Sequence, residues 1–168
     1  MHAELDAARE LLSTNIRDVR RAIFALRPVA LEELGFLAAL RQFAEEFGEQ
    51  NQVSVDLRIV GSRDRLPPAM EVNLFRIVQE ALHNVSKHAQ ASMVWIELNL
   101  ETTDMVALRI RDNGVGFDPA SLETAMRHGH VGLTQMRERV ERLGGTFTLR
   151  SQPGSGTEIQ ATLPVRGL

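Results

Sequence analysis

The amino-acid sequence predicts an α+β fold, a two-layer α/β sandwich in which a mixed, mainly antiparallel sheet packs against three helices, with one further helix at the N-terminus. The first observation is that segments of alternating apolar and polar residues occur in neighbouring pairs, 92–100 with 105–111 and 146–151 with 157–163. The second is that a short turn joins the two members of each pair, as in antiparallel strands. The third is that segments of helical periodicity separate these pairs from each other and from one more alternating segment, 53–60.

The helices of the sandwich are placed by their apolar spacing and by the proline and glycine residues at their ends. Residues 35–50 carry apolar side chains at helical intervals. A second helix begins at Pro67–Pro68, because proline is tolerated in a first turn, and extends to about Ala89. A third helix spans about 131–143 and ends at Gly144–Gly145.

Residues 1–29 predict a separate helix with one apolar seam, which Pro28 ends. The seam residues step by four, three, four and three positions, the spacing of helices that pack on a partner: Leu12, Ile16, Val19, Ile23 and Leu26. Such a helix either packs on the domain that follows or forms half of an intermolecular bundle. The pattern alone favours neither.

Composition excludes several classes of function. The formal net charge of −3 provides no footprint for nucleic acid, and the absence of cysteine excludes disulfides and thiolate metal sites. No apolar run approaches the roughly 18 residues that cross a bilayer. The first residues also lack the apolar core of a signal peptide. We therefore expect a cytoplasmic chain that makes no membrane contact, although it can be the cytoplasmic portion of a membrane-bound sensor.

Glu80, Asn84 and Lys87 form a narrow polar stripe on the helix that ends near Ala89. With Glu80 at 0° and 100° per residue, Asn84 falls at about 40° and Lys87 at about −20°, opposite an apolar face. One interpretation is a solvated face with an ion pair along the helix. The other is a site for Mg²⁺ and phosphate, because oxygen ligands suit the hard cation and an ammonium neutralises phosphate oxygens.

Three glycine-containing segments are further candidates, each with an ordinary alternative. The sequence DNGVG at 112–116 follows a strand, where a carboxylate can accept a bond from an exocyclic amine, but DNG is also a common turn. The sequence GHVGL at 129–133 opens a helix, whose N-terminus favours phosphate, or is a flexible loop before an ordinary helix start. GSGT at 154–157 alone is a hairpin turn. The chain contains neither the P-loop motif nor G-x-G-x-x-G.

In this order, the segments QEALHNVSKHA, DNGVGFD, GHVGLTQMRERVERLGG and GSGTEIQATLP resemble the N, G1, G2 and G3 boxes of the GHKL ATPase superfamily, which has the Bergerat fold. Residues 30–168 resemble the catalytic ATP-binding domain of two-component sensor histidine kinases of the nitrate/nitrite-sensor type. Residues 1–29 resemble the second helix of the dimerisation and phosphotransfer region of those kinases.

The resemblance implies ATP and Mg²⁺ as cofactors and a role for each matching residue. Asn84 would bind Mg²⁺, and Glu80 would be the catalytic acidic residue. Asp112 would bind the adenine amino group, with Thr157 nearby through a water molecule. The implied nucleotide-binding residues are Asn84, Lys87, His88, Asp112, Gly114, Gly116, Gly129, His130, Val131, Gly132, Leu133 and Thr157.

One departure from the family concerns the histidine that receives the phosphoryl group. In the family it lies on the preceding helix and is followed by an acidic residue, whereas none of the five histidines here is followed by Asp or Glu. We therefore expect no phosphoacceptor histidine in this chain, which would be a fragment that binds ATP without phosphorylating itself. The implied partners are the dimerisation and phosphoacceptor helix, a second copy in a full-length homodimer and a response regulator of the LuxR or nitrate-regulator type.

Three alternatives keep the fold and change the function. A serine kinase of the anti-sigma type would lack the N-terminal seam helix, and an ATP-hydrolysing clamp would need further domains. A non-catalytic interaction module would have a degenerate nucleotide pocket, and the four intact boxes argue against that alternative.

Overall fold

The computed structural model describes residues 29–62, 66–119 and 131–165. The chain divides at Gly35 into two units, and the described part of the first contains helix α1, Val29–Glu33. The predicted seam helix lies outside the described residues, apart from its last position. It therefore stays a prediction, as does the domain boundary between residues 29 and 30. Everything below concerns the second unit.

A five-stranded sheet forms the base of the second unit, and its strands occur where the alternating pattern predicts them. The strands are β1 Ser54–Val60, β2 Met93–Asn99, β3 Met105–Asp112, β4 Thr146–Ser151 and β5 Thr157–Pro164. Their order across the sheet is β1-β2-β3-β5-β4. Strand β1 pairs with β2 in parallel, and the other three pairs are antiparallel, which confirms the mixed, mainly antiparallel sheet.

Three helices pack on this sheet: α2 Phe36–Asn51, α3 Pro68–Asn84 and α4 Val131–Arg142. Helix α3 begins at the second of the two prolines and continues beyond Asn84 as a π turn, Val85–Ala89, which confirms its predicted end. Helix α4 is followed by Gly144 at φ 70°, whose N–H donates a 2.9 Å hydrogen bond to the Glu141 carbonyl oxygen. No helix among the described residues combines the length and hydropathy of a membrane span.

The core lies between the three helices and one face of the sheet. Alternate residues of β2 and β3 are buried on this face, while the residues between them are half-buried or exposed. The largest fully buried side chains are Leu40, Met70, Leu74, Ile77, Leu82, Ile96, Leu98, Leu108, Met136 and Leu163. On the opposite face, Trp95 is 37% exposed and lies beneath the Arg111 guanidinium, 5.6 Å from the ring centre. One covered face and one open face confirm the two-layer sandwich.

Candidate functional site

The apolar core face of the sheet becomes polar at one end. Asp112 ends β3, Thr157 begins β5 and Ser151 ends β4, and these three strands are neighbours in the sheet. Each of the three residues follows the alternation of the buried positions on its strand, so each side chain is on the side that the helices cover. A row of polar side chains at the edge of an apolar layer indicates a site that binds a polar group.

Asp112 is the acidic residue of this row, and it is buried, at 5% exposure. The backbone N–H groups of Gly114 and Thr157 donate hydrogen bonds to its carboxyl group, the first at 2.8 Å to Oδ1. Burial raises the pKa of the Asp112 carboxyl, because removal from water disfavours the charged form, and the two backbone donors oppose that shift. The carboxylate is therefore fixed in position while it retains lone pairs for a further donor.

Ser151 joins the loop after β3 to the hairpin between β4 and β5. Its Oγ accepts a 2.9 Å hydrogen bond from the Phe117 backbone N–H and donates a 3.0 Å bond to the Gly156 carbonyl oxygen. It also lies 3.0 Å from Thr157 Oγ1 across the strand pair. Ser151 thus links the residues of the polar row to one another and to the loop after β3.

Glycine is required where that loop and the hairpin approach each other. Gly116 has φ 60°, and a Cβ there would collide with the carbonyl oxygens of Gln152 and Gly156. The Gly154 N–H donates a 2.6 Å hydrogen bond to the Val115 carbonyl oxygen at the same approach. The second and fourth boxes, which are far apart in sequence, are therefore in backbone contact.

The end of helix α3 completes this side of the site. The Val115 N–H donates a 2.8 Å hydrogen bond to the carbonyl oxygen of Ala89, the last residue of the π turn. A Cβ at Gly114 would collide with that same carbonyl group. The first box is thus joined to the second through contacts that only glycine permits.

Glu80 connects the first box to the third. It is half-buried on α3, and its carboxylate lies against Gly132 in the first turn of α4, where an added Cβ would overlap Oε1. The backbone N–H groups of a first helical turn have no partner within the helix and attract negative charge. This contact brings the predicted catalytic residue and a predicted nucleotide-binding glycine together.

Asn84 has an unusual environment on the same helix. Its Nδ2 is buried and has no hydrogen-bond partner among the described residues. A buried amide group without a partner costs stability, of order 1–3 kcal/mol. Since either end of the amide can turn toward a ligand, Asn84 has unused capacity for coordination or hydrogen bonding.

Lys87 and His88 lie in the π turn and are exposed. The predicted angle of Lys87, which assumed 100° per residue throughout, is wrong because a π turn contains more residues per turn than an α-helix. Glu80 and Asn84 precede the π turn and keep the predicted relation. Because Lys87 is exposed, its ammonium group can reach a ligand from solvent.

The donor set fits a Mg²⁺ ion that takes most of its ligands from elsewhere. No group of three or more His, Cys, Asp or Glu side chains within the described residues is arranged to hold a metal. Mg²⁺ commonly keeps several waters and binds through one or two protein groups together with substrate phosphates. Asn84 fits that pattern as the protein ligand through its side-chain carbonyl oxygen Oδ1, while its unpartnered Nδ2 is a donor for a phosphate oxygen.

The remaining predicted residues are only partly described. Gly129 and His130 lie outside the described residues, and Val131 begins α4 without a described side chain. Leu133 is half-buried on α4.

Two polar residues at the site and one buried charged residue of α3 were not predicted from the sequence. Ser151 is one, although its place after the inward residues Phe147 and Leu149 was a usable signal. Asn113 is another, since its Oδ1 accepts 3.0 Å bonds from two backbone N–H groups at the start of β2. Arg76 of α3 is 6% exposed, and burial, with a smaller effect from the charge of Arg139, lowers the pKa of its guanidinium.

Residues 69–167 match a known family, described as "Histidine kinase-, DNA gyrase B-, and HSP90-like ATPase". The match includes more than half of the chain, which therefore belongs to this family of ATPases. Members of the family bind ATP, usually with Mg²⁺.

Relatives of the chain include histidine kinases. The chain is 37% identical over 162 residues to the "Signal transduction histidine-protein kinase/phosphatase DegS" of Brevibacillus brevis, covering 96% of this chain and 41% of the relative. It is 33% identical over 159 residues to the "Oxygen sensor histidine kinase NreB" of Staphylococcus carnosus, covering 92% and 44%. The chain thus spans less than half the length of either relative.

Solved structures of histidine kinases share the fold. The blue-light activated histidine kinase domain of Erythrobacter litoralis EL346 superposes with a TM-score of 0.60 at 18% identity, over 77% of this chain and 61% of that one. The histidine kinase AdeS of Acinetobacter baumannii gives 0.63 at 15% identity, over 94% and 80%. At these identities the likeness shows the fold alone.

Proposed function

We propose that this chain is the catalytic ATP-binding domain of a sensor histidine kinase. It holds ATP with Mg²⁺ and presents the γ-phosphoryl group to a histidine on a dimerisation and phosphotransfer domain. The phosphoryl group is then relayed to a response regulator of the LuxR or nitrate-regulator type. The full-length protein acts as a homodimer, and this domain works in the cytoplasm.

The observation that carries the proposal is the meeting of four distant segments at one end of the sheet. Ala89 contacts Gly114 and Val115, and Gly116 contacts the β4–β5 hairpin. Glu80 contacts Gly132 at the start of α4. A set of contacts that depends on glycine at two places, Gly114 and Gly116, is difficult to explain as an ordinary turn or a solvated helix face.

Each part of the site has a chemical task in this proposal. The Asp112 carboxylate accepts a hydrogen bond from the amino group of the base. Asn84 contributes the protein ligand for Mg²⁺, which when bound neutralises phosphate charge. Lys87 and His88 extend to the phosphates from the exposed turn, and Glu80 orients the reacting groups. Phosphoryl transfer needs such positioning and charge neutralisation more than covalent chemistry by the protein.

Calorimetric titration of ATP tests the binding step. We expect binding in the presence of Mg²⁺ and weaker binding in EDTA. Asp112→Ala and Asn84→Ala should each abolish binding while the circular dichroism spectrum is retained. Asp56→Ala is the matched control, since it removes an exposed carboxylate of β1. Absence of binding by the unmodified chain would instead support the non-catalytic interaction module.

Transfer is tested by adding the dimerisation and phosphotransfer region of one of the relatives with ATP labelled at the γ-phosphate. We expect label on the added region and none on this chain, because none of its histidines is followed by an acidic residue. Glu80→Gln should keep ATP binding and slow transfer by roughly 10²–10⁴-fold. A labelled histidine in this chain alone would overturn the assignment of the acceptor.

A further inference from the structure

The Ser151 hydroxyl has three hydrogen-bond partners but only one proton to donate. It lies within hydrogen-bond distance of the Phe117 N–H, the Gly156 carbonyl oxygen and Thr157 Oγ1, at 2.9, 3.0 and 3.0 Å. A serine hydroxyl donates one hydrogen bond and accepts two. The N–H can only donate to it and the carbonyl can only accept from it, so two of the three roles are fixed.

This count determines the direction of the third bond. Because the Ser151 proton goes to the Gly156 carbonyl, the Thr157 hydroxyl must donate to Ser151. If Ser151 donated to Thr157 instead, the Gly156 carbonyl oxygen would lose its hydrogen-bond donor. Because Gly156 is buried, a water molecule would be a poor replacement for that donor. The arrangement that satisfies every group therefore leaves Thr157 Oγ1 with lone pairs only.

The Asp112 carboxylate contacts the same residue, Thr157, through its backbone. The Thr157 backbone N–H donates to it, which places the Thr157 residue and the carboxyl group in direct contact. Two acceptors, one charged and one neutral, thus stand together at the polar end of the core. An exocyclic amine carries two N–H donors and can supply one to each of them, directly or through one water.

We propose that Ser151 is a positioning residue that holds the Thr157 hydroxyl as an acceptor, so that this end of the site selects a 6-amino purine over a 6-oxo purine. The inference rests on the proposed nucleotide-binding function and adds the origin of its base selectivity. Ser151 acts through Thr157 and through the loop that begins at Phe117, and itself contacts no ligand.

The consequence of losing Ser151 follows from the same count. Without an acceptor beside it, the Thr157 hydroxyl can rotate and donate its proton to a ligand carbonyl. A 6-oxo purine would then meet one acceptor and one donor in place of two acceptors. The penalty against the oxo group should fall, while the amine keeps its bond to Asp112.

The test compares the affinities for ATP and for inosine triphosphate, which carries an oxo group at position 6. Both are measured by calorimetry with Mg²⁺ on the full chain. We expect Ser151→Ala to lower the preference for ATP over inosine triphosphate by about tenfold, mainly by improved binding of the oxo nucleotide. Ser151→Thr retains the hydroxyl and should keep the preference.

A double-mutant cycle separates positioning from a general structural effect. In a Thr157→Val background, Ser151→Ala should no longer change the preference, because the hydroxyl on which Ser151 acts is absent. An equal loss of affinity for both nucleotides in Ser151→Ala would overturn the proposal and leave Ser151 as a structural residue. A change in preference that persists in the Thr157→Val background would overturn it as well.

Three further outcomes also decide the proposal. Should Ser151→Ala fail to fold, Thr157→Val and Thr157→Ser decide: only the valine variant should lose the preference, and equal preference in both would contradict the proposal. If the unmodified chain binds neither nucleotide, the proposed function fails, and the selectivity proposal fails with it. If it binds both equally, the function stands and only the selectivity proposal is lost.

Discussion

Hydrogen bonding differs between the sheet side and the helix side of the candidate site. On the sheet side, Asp112, Ser151 and Thr157 are bonded to one another and to backbone groups. On the helix side, Asn84 keeps a buried nitrogen with no partner among the described residues, and Lys87 is exposed. The side chains of the first region are held in position by hydrogen bonds without a ligand, whereas the second contains a buried amide nitrogen that has no partner until a ligand binds.

The difference indicates a division of labour in binding. A group that is already fixed by its neighbours loses little conformational entropy when a ligand arrives, which favours selectivity. A group without a partner gains a hydrogen bond or a metal contact when the ligand binds, so the affinity depends on the phosphates and the metal that the ligand carries. The following predictions test this comparison, from the largest expected effect to the smallest.

Gly116→Ala should destabilise the protein most, because the obstacle is backbone and cannot move aside. The added Cβ would collide with two carbonyl oxygens at a residue with φ 60°. We expect a loss of about 2–4 kcal/mol in the free energy of unfolding, measured with urea. Gly154→Ala is the control, since its φ is 79° but no atom lies within 4 Å of the added Cβ; it should cost about 1–2 kcal/mol. Equal losses would show that the two loops are not held together as described.

Asn113→Ala and Asn84→Ala compare a satisfied amide with an unsatisfied one. Asn113 accepts two backbone hydrogen bonds and donates one to Ser92 Oγ. Its loss should lower the free energy of unfolding by about 1–3 kcal/mol. Asn84→Ala should leave it unchanged or raise it by about 1 kcal/mol, because no bond to its Nδ2 is lost and a buried nitrogen without a partner is removed. A large destabilisation by Asn84→Ala would place Asn84 in the structural framework instead of in a ligand site.

The Cβ added by Gly132→Ala would contact the flexible end of the Glu80 side chain. The loss of stability should therefore be smaller than for Gly116→Ala, and a second substitution at Glu80 should remove it. The new Cβ displaces the Glu80 carboxylate, at a cost of about 1 kcal/mol. Combined with Glu80→Ala, the same substitution should become neutral or stabilising by up to about 1 kcal/mol, the helix-propensity gain of alanine over glycine. Thermal unfolding of the unmodified protein, the two single variants and the double variant measures this coupling, and additive effects would contradict the contact.

The pH dependence of stability should reveal the cost of burying Asp112. Its pKa is raised in the folded state, so the folded protein binds the proton more tightly than the unfolded chain. The resulting stabilisation is complete below the ordinary pKa of 3.8 and is lost as pH rises through the raised value. Relative to Asp112→Asn, the unmodified protein should therefore lose stability as pH rises above about 4. An unchanged difference across this range would mean that the carboxyl is not desolvated.

The positions of the strands and helices were predictable because they depend on local periodicity. The alternation in 92–100 and 105–111, for example, reflects one buried face, and the structure confirms both strands. The order of the strands was not predictable, since the parallel pairing of β1 with β2 depends on contacts between segments far apart in sequence.

For the site, the residues could be predicted from the sequence, but the hydrogen bonds between them could not. Asp112 and Thr157 were predicted through a family resemblance, but the bond between them requires β3 and β5 to be neighbours. The role of Ser151 depends on its three hydrogen-bond partners, which the fold brings together from the loop after β3 and from the β4–β5 hairpin. The π turn was missed because helical periodicity alone does not reveal one additional residue in the last turn.

The π turn also has a consequence for the chain length that this segment tolerates. Glu80 is anchored at one end by Gly132, and the Ala89 carbonyl is anchored at the other by the Val115 N–H. A deletion between Glu80 and Ala89 would convert the π turn into an α-helical turn, and an insertion would lengthen it. Either change would break the contact of Glu80 with Gly132 or that of Ala89 with Val115. Substitutions at the exposed positions of this segment are therefore compatible with the fold, whereas changes in its length are not.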